Sequence, residues 1–208
     1  MKSLFAAAAL SFATLAACQT SHTYADEHPL ASSGTVVFTM NVGDVKVLPN
    51  PRPDRVRIEI RTNRAVDQET MAGWIQRFEV AAGRATIEVR IPNHNLTNDS
   101  STDVTLYVPP QSDLKANLEV GDLTIRGIDG NKDVHTGVGD LRIAIANPSD
   151  YGHVETHTRI GDVSDFLNHS SDDSGFLGKT EDFTLSGRFH LKATTGVGDV
   201  HISADGKS

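Results

Sequence analysis

The chain repeats one short unit five times: a β-branched residue, Gly, Asp and a second aliphatic residue. The copies are Val42-Gly43-Asp44-Val45, Val120-Gly121-Asp122-Leu123, Val138-Gly139-Asp140-Leu141, Ile160-Gly161-Asp162-Val163 and Val197-Gly198-Asp199-Val200. The string Thr-Gly-Val-Gly-Asp occurs in full at 136–140 and again at 195–199. A recurring unit built around a bend means that the chain turns the same corner repeatedly, the sequence mark of a solenoid. The expected fold is therefore all-β, a β-solenoid or β-helix-like stack of short strands with Gly-Asp corners. In such a stack function lies on the faces rather than in one cleft.

Between two short strands the backbone must change direction within one or two residues. Gly supplies a positive φ at no steric cost, and Asp accepts backbone N–H groups two residues on, within its own turn. On this reading Gly43, Asp44, Gly121, Asp122, Gly139, Asp140, Gly161, Asp162, Gly198 and Asp199 are structural turn residues. The aliphatic residues on both sides of each bend are expected to point into the core. From Gly121 onward the corner glycines are 18, 22 and 37 residues apart. The first two intervals fit one turn of a solenoid, and the third fits two turns with a degenerate corner near Ser186-Gly187. Gly43 stands 78 residues before Gly121. The segment from Arg55 to Pro109 between them is expected to pair antiparallel and cover the open first rung.

Alternation with period two marks the strands. Val56, Ile58 and Ile60 face one way and Arg55, Arg57, Glu59 and Arg61 the other. The same pattern turns Ala85, Ile87, Val89 and Ile91 inward, then Val104, Leu106 and Val108, then Leu114, Ala116, Leu118 and Val120. One short helix is expected near 68–77, with Asp67 as N-cap, Glu69 in the first turn, and Met71, Trp74 and Phe78 at helical spacing.

The N-terminus reads as an export signal. Lys2 precedes an apolar run from Leu4 to Ala17, too short to span a membrane as a stable helix. The run ends in Leu15-Ala16-Ala17-Cys18, which is similar to a bacterial lipobox, and Cys18 is the single cysteine of the chain. One cysteine cannot form an internal disulfide. The expected organisation is a lipoprotein signal peptide at 1–18 with lipid attached at Cys18, a flexible tether at 19–34, one domain at 35–203 and a tail at 204–208. Acyl chains anchor by about 0.8 kcal/mol per buried CH₂, so the membrane is a partner through this lipid. Gln19 after the cysteine favours the outer membrane, by resemblance to bacterial lipoproteins. The formal net charge of −8 argues against nucleic acid, which needs clustered Lys and Arg. Arg52, Arg55, Arg57, Arg61 and Arg64 crowd an early segment. Asp162, Asp165, Asp172, Asp173, Glu181 and Asp182 crowd a late one. Both sets read as solvated strand faces.

The rungs resemble the bacterial adhesin-like family long catalogued as a domain of unknown function, whose rungs follow Thr-x-[Val/Ile]-Gly-Asp-[Val/Ile]-x-[Val/Ile]. The stretch VPPQSDLKANLEVGDLTIRGIDG, residues 108–130, is similar to the early part of that family's array. SGRFHLKATTGVGDVHI, residues 186–202, is similar to its end. The resemblance covers roughly Gly34 to Ser203. This chain departs from it where Asp165 stands in place of an aliphatic residue after Val163. The resemblance implies a β-helical cell-envelope domain and no particular ligand.

Stacked corners would set the Asp carboxylates about 4.8 Å apart. Bare neighbours at that spacing repel by about 0.9 kcal/mol even in water. Each Asp must then be satisfied by its own turn, or cations must lie between rungs. Calcium takes six to eight oxygens, and the repeat offers one carboxylate per corner, so the structural reading is preferred and no metal residue or cofactor is assigned. His135 and His157 each stand four residues before a corner Gly, and His153 and His190 eight before. Aligned rungs would stack each pair, an arrangement able to hold zinc or copper. Alternation turns His135 outward, so solvated histidines are preferred.

The chain has no G-x-S-x-G elbow, H-E-x-x-H helix, P-loop or dinucleotide fingerprint. Asp172-Asp173 lie in a polar stretch without aromatics to stack a sugar. Trp74 is assigned to the core, which leaves Tyr107 as the aromatic candidate. No catalytic residue is assigned. The expected function is a non-catalytic, adhesin-like scaffold of the cell envelope whose partner is an envelope protein or glycan. A cation-binding module is the alternative, and a β-helix carbohydrate-active enzyme comes third.

Overall fold

A computed structural model describes residues 21–63, 65–92, 101–165 and 178–204. Its strands are β1 (His22–Pro29), β2 (Thr35–Val42), β3 (Asp44–Pro49), β4 (Arg55–Thr62), β5 (Ile75–Ala81), β6 (Arg84–Val89), β7 (Thr102–Val108) and β8 (Asp113–Val120). They continue with β9 (Leu123–Ile125), β10 (Lys132–Val138), β11 (Leu141–Ile145), β12 (Tyr151–Ile160), β13 (Val163–Asp165), β14 (Lys179–Thr184), β15 (Phe189–Val197) and β16 (Val200–Ala204). One sheet runs β1-β4-β7-β3-β9-β11-β16-β13 and the other β14-β12-β15-β10-β8-β2-β6-β5.

Each Gly-Asp unit joins a strand of one sheet to a strand of the other: β2 to β3, β8 to β9, β10 to β11, β12 to β13 and β15 to β16. Like strands of neighbouring rungs pair in parallel. The all-β expectation therefore holds, but winding in sequence order does not. The rungs stack in the order Gly43, Gly121, Gly139, Gly198, Gly161, because β15 inserts between β10 and β12 and β16 between β11 and β13. Among the described residues the long interval before Gly198 holds no second turn with a degenerate corner. It carries β14, which pairs antiparallel with β12, and Ser186-Gly187 lie in the bend between β14 and β15.

At the other end β6 lies parallel beside β2 and β7 parallel beside β3, covering the first rung. The antiparallel strands β4, β1 and β5 lie outside them. Residues 22–29, expected in the tether, form β1, an eight-residue strand paired along its length with β4. The reason is the open edge of β4: its backbone groups need partners, and a polar strand with one face outward can supply them.

The helix α1 (Gln68–Trp74) is shorter than expected. The Asp67 carboxylate caps it by accepting the Thr70 N–H at 2.7 Å, and Met71 and Trp74 are buried. It stops because β5 begins at once, so Phe78 packs from a strand. Inward residues of the two sheets meet in one core, with Val56, Ile58, Ile60, Ile87, Leu106 and Leu118 nearly inaccessible. No helix among the described residues is long and apolar enough to cross a membrane. Cys18 and the Asp172-Asp173 pair lie outside the described residues.

Candidate functional site

The corners form one column along the edge where the sheets meet, and three hydrogen bonds repeat up it, two between backbone groups and one from a backbone N–H to a carboxylate. The N–H groups of Gly43, Gly121, Gly139 and Gly198 donate to the carbonyls of Val120, Val138, Val197 and Ile160 on the next rung. The N–H groups of Val45, Leu123, Leu141 and Val200 donate to the carbonyls of Asp122, Asp140, Asp199 and Asp162. In the reverse sense, each Asp N–H reaches the carboxylate of the rung before it. Asp122 donates to Asp44 at 3.1 Å, Asp140 to Asp122 at 2.9 Å, Asp199 to Asp140 at 3.0 Å and Asp162 to Asp199 at 2.8 Å. The carboxylates thus serve the neighbouring rung rather than their own turn, as a ladder of charge-assisted hydrogen bonds.

Repulsion along this ladder is relieved in its middle by Arg142. Its guanidinium donates to Asp122 at 2.9 Å and to Asp140 at 2.6 Å. Partial burial pushes the Asp122 carboxyl up, but the Asp140 N–H and the Arg142 guanidinium outweigh it and hold the group below the usual carboxylate range. The hydrogen bond to Asp122 likewise raises Arg142 above its ordinary value. Toward the last rung, Asp140, Arg142, Asp162, Ser164, Asp199, Val200 and His201 line a shallow cavity of about 170 Å³. Among the described residues no group of three or more His, Cys, Asp or Glu is arranged to hold a metal.

The corner glycines have φ between +124° and +136°. That is one requirement for Gly; contact is the other. A Cβ on Gly139 would stand 2.1 Å from the Gly121 carbonyl oxygen, and one on Gly198 2.2 Å from that of Gly139. The Thr of the five-residue string has a related task. The Thr195 hydroxyl donates to the Gly139 carbonyl at 3.1 Å, and Thr158, at the matching position, donates to that of Gly198 at 2.9 Å. Thr136 is buried in the same register, and its hydroxyl has no partner among the described residues.

The residue before each Gly does not point into the core. Val120, Val138, Ile160 and Val197 are 36–48% exposed, and Val42 is half-buried. The alternation breaks because the apex of each bend lies outside the line joining the two sheets. Thr136 and Leu141 are both inward, and the four residues between them pass around the outside. The register places Val42, Val120, Val138, Val197 and Ile160 side by side, an aliphatic ridge beside the carboxylate ladder.

His153 and His190 are register neighbours, whereas Thr194 of the inserted β15 stands between His135 and His157. His135 bonds to the Thr194 hydroxyl at 2.9 Å and His157 to that of Thr180 at 2.7 Å. His153 stands 3.5 Å from the Asp182 carboxylate. Sequence reading missed Lys132, which is fully buried and bonds to the Tyr151 hydroxyl and, at 3.1 Å, to the Gly130 carbonyl. Its inward register between Leu114 and Leu191 was the available signal. Trp74 is buried, and Arg57 lies over the Tyr107 ring at 5.6 Å.

No protein-family model matches the chain, and no curated protein sequence matches it significantly. Among solved structures it is similar to a candidate cell adhesion protein from Clostridium sporogenes, with a TM-score of 0.58 and 12% identity over 89% of this chain and 100% of that one. A candidate adhesin from Bacteroides fragilis matches with a TM-score of 0.32 and 8% identity, over 87% of this chain and 97% of that one. A candidate lipid-binding protein from Parabacteroides distasonis matches with a TM-score of 0.27 and 9% identity, over 89% of this chain and 95% of that one. The first of these carries the comparison: the two chains share an all-β fold.

Proposed function

We propose that this chain is a non-catalytic scaffold of the cell envelope, held to the membrane by lipid at Cys18 and binding an envelope protein or glycan through the outer faces of its stack. The observation that carries the reading is the aliphatic ridge. Val120, Val138, Val197 and Ile160 stay solvent-accessible in register beside the ladder of Asp carboxylates, an arrangement that suits association rather than folding. The titratable side chains of the corner support a non-catalytic role, because four of the Asp carboxylates are engaged in holding the next rung. We read the five stacked corners as a solenoid-type scaffold with one rung inserted out of order. The likeness to the Clostridium sporogenes protein agrees with an adhesin-like role at the cell surface.

The anchor is tested by expressing Cys18→Ser beside the wild-type chain and separating membrane from soluble fractions. The wild type is expected in the membrane fraction at the mobility of a processed, lipidated protein, and the variant unprocessed or released. Equal fractionation and mobility would remove the lipoprotein reading.

A further inference from the structure

The stack ends on a corner that is built like the others and whose outward groups are unfilled among the described residues. Each of the first four corners passes three hydrogen bonds to the next rung: its Gly N–H, its post-Asp N–H and its carboxylate are all used. At the fifth corner the backbone is the same, with Gly161 at φ +136°. The Gly161 N–H, the Val163 N–H and the Asp162 carboxylate have no partner among the described residues. The other outermost strands, β1, β5 and β14, are antiparallel and close their ends of the sheets. β13 instead continues the parallel repeat and, among the described residues, pairs with one strand, β16.

We propose that this end of the stack is a strand-addition site, which takes an extended segment of another protein with the pattern aliphatic-Gly-Asp-aliphatic-Arg. The segment would donate its Asp N–H to the Asp162 carboxylate and accept the Gly161 and Val163 N–H groups on its carbonyls, as each rung does from the one before. Gly is required by contact. At Gly121, Gly139, Gly198 and Gly161 a Cβ would stand 2.1–2.2 Å from the glycine carbonyl of the preceding rung, and the added segment meets the Gly161 carbonyl in the same way. Arg two residues after the Asp is favoured by charge. Arg142 in that position bridges the carboxylate of its own rung and that of the rung before. At this end Asp162 and Asp199 face the cavity with Ser164 and His201, and the Arg142 that also lines it is already bonded to Asp122 and Asp140. A second copy of this chain is a poor donor, because the described corners are already packed between rungs and its own open end repeats the same acidic residues. Lys179 guards the edge: its ammonium donates to the Val163 carbonyl at 3.1 Å, the blunting expected of a lysine beside a strand edge.

This names a partner class for the scaffold proposed above, and its test fails independently of the membrane fractionation. The full chain, labelled with ¹⁵N in detergent, is titrated with the peptide Val-Gly-Asp-Leu-Arg-Ile-Ala, residues 138–144 of this chain. Saturable shifts are expected at the Gly161 and Val163 amides. They should vanish when the peptide carries Gly139→Ala and weaken when it carries Arg142→Gln. Asp162→Ala in the protein should weaken binding about tenfold, the loss of one charge-assisted hydrogen bond. Lys179→Ala should tighten it by freeing the Val163 carbonyl. Absence of saturable shifts at millimolar peptide, or equal binding of the Gly139→Ala peptide, would overturn the proposal. Self-association of the free chain through the same amides would overturn its assignment to another protein's strand.

Discussion

The N–H of Asp199 donates to the carboxylate of Asp140 at 3.0 Å, although 59 residues separate the two in sequence. The bond ties together two rungs that carry the same five-residue string. Asp140→Asn should be mild, because the amide oxygen still accepts the Asp199 N–H and the lost Arg142 ion pair is half exposed and worth about 0–1 kcal/mol. Asp140→Ala should cost more, about 1–2 kcal/mol, because no acceptor remains for that N–H. Thermal melts with and without calcium check the assignment. For each variant the shift in Tm should be the same with calcium as without it, and larger for Asp140→Ala than for Asp140→Asn. A loss confined to calcium-containing buffer would place a cation between the rungs instead of a hydrogen bond.

Conformation and contact at the corner glycine can be separated by comparing two substitutions. Gly83 has φ +73° and open space where a Cβ would go. Gly83→Ala should therefore cost about 1–2 kcal/mol, the backbone strain alone. Gly139 combines φ +135° with a carbonyl oxygen 2.1 Å from the Cβ position. Gly139→Ala should exceed Gly83→Ala clearly, by about 1–3 kcal/mol of overpacking. Denaturant midpoints that agree within error would show that contact between rungs contributes nothing.

These corners were legible because one backbone requirement and one hydrogen bond recur with the same two residues each time. The order of the rungs was not. Thr136 to Asp140 and Thr195 to Asp199 are identical, so either rung satisfies the strand pattern next to Gly161, and no local residue preference decides between them. β1 was illegible for another reason: His22–Pro29 pairs through its backbone at an edge, and its side chains carry almost no apolar alternation. Within the corner, Val138 and Leu141 look alike in sequence because both are aliphatic neighbours of Gly-Asp. Their fates differ because the bend carries one of them around the outside of the core.

That difference gives a direct test of the ridge. Leu141 is fully buried and Val138 is 48% exposed. Leu141→Ala should cost about 2–5 kcal/mol through lost transfer energy and the cavity left behind. Val138→Ala should stay within about 0.5 kcal/mol. Urea midpoints of the two variants decide the matter, and a Val138→Ala loss comparable to that of Leu141→Ala would return this residue to the core.

Lys132 and Tyr151 give the stack a dependence on alkaline pH. Burial pushes the Lys132 amine down from 10.5 to about 8, against the opposing pull of Asp129 and Asp113. Below about pH 8 the folded chain carries this ammonium at a cost, and the unfolded chain carries it freely. Between about 8 and 10.5 the unfolded chain binds the extra proton, so stability must rise with pH across that window. A gap of 2.5 between those two values corresponds to about 3 kcal/mol at most. Tyr151 acts in the opposite sense. Burial raises its hydroxyl above the ordinary value of 10.0, so the folded chain keeps the proton that the unfolded chain loses, and stability falls as pH climbs past 10. The two contributions together set a maximum near pH 10, at the top of the window in which Lys132 raises stability. Lys132→Met keeps the length of the side chain in the pocket between Leu114 and Leu191 and removes the charge. Its urea stability should be flat from pH 7 to 9.5 where that of the wild type climbs. Parallel profiles for the two proteins over that range would mean that the Lys132 ammonium is not what titrates.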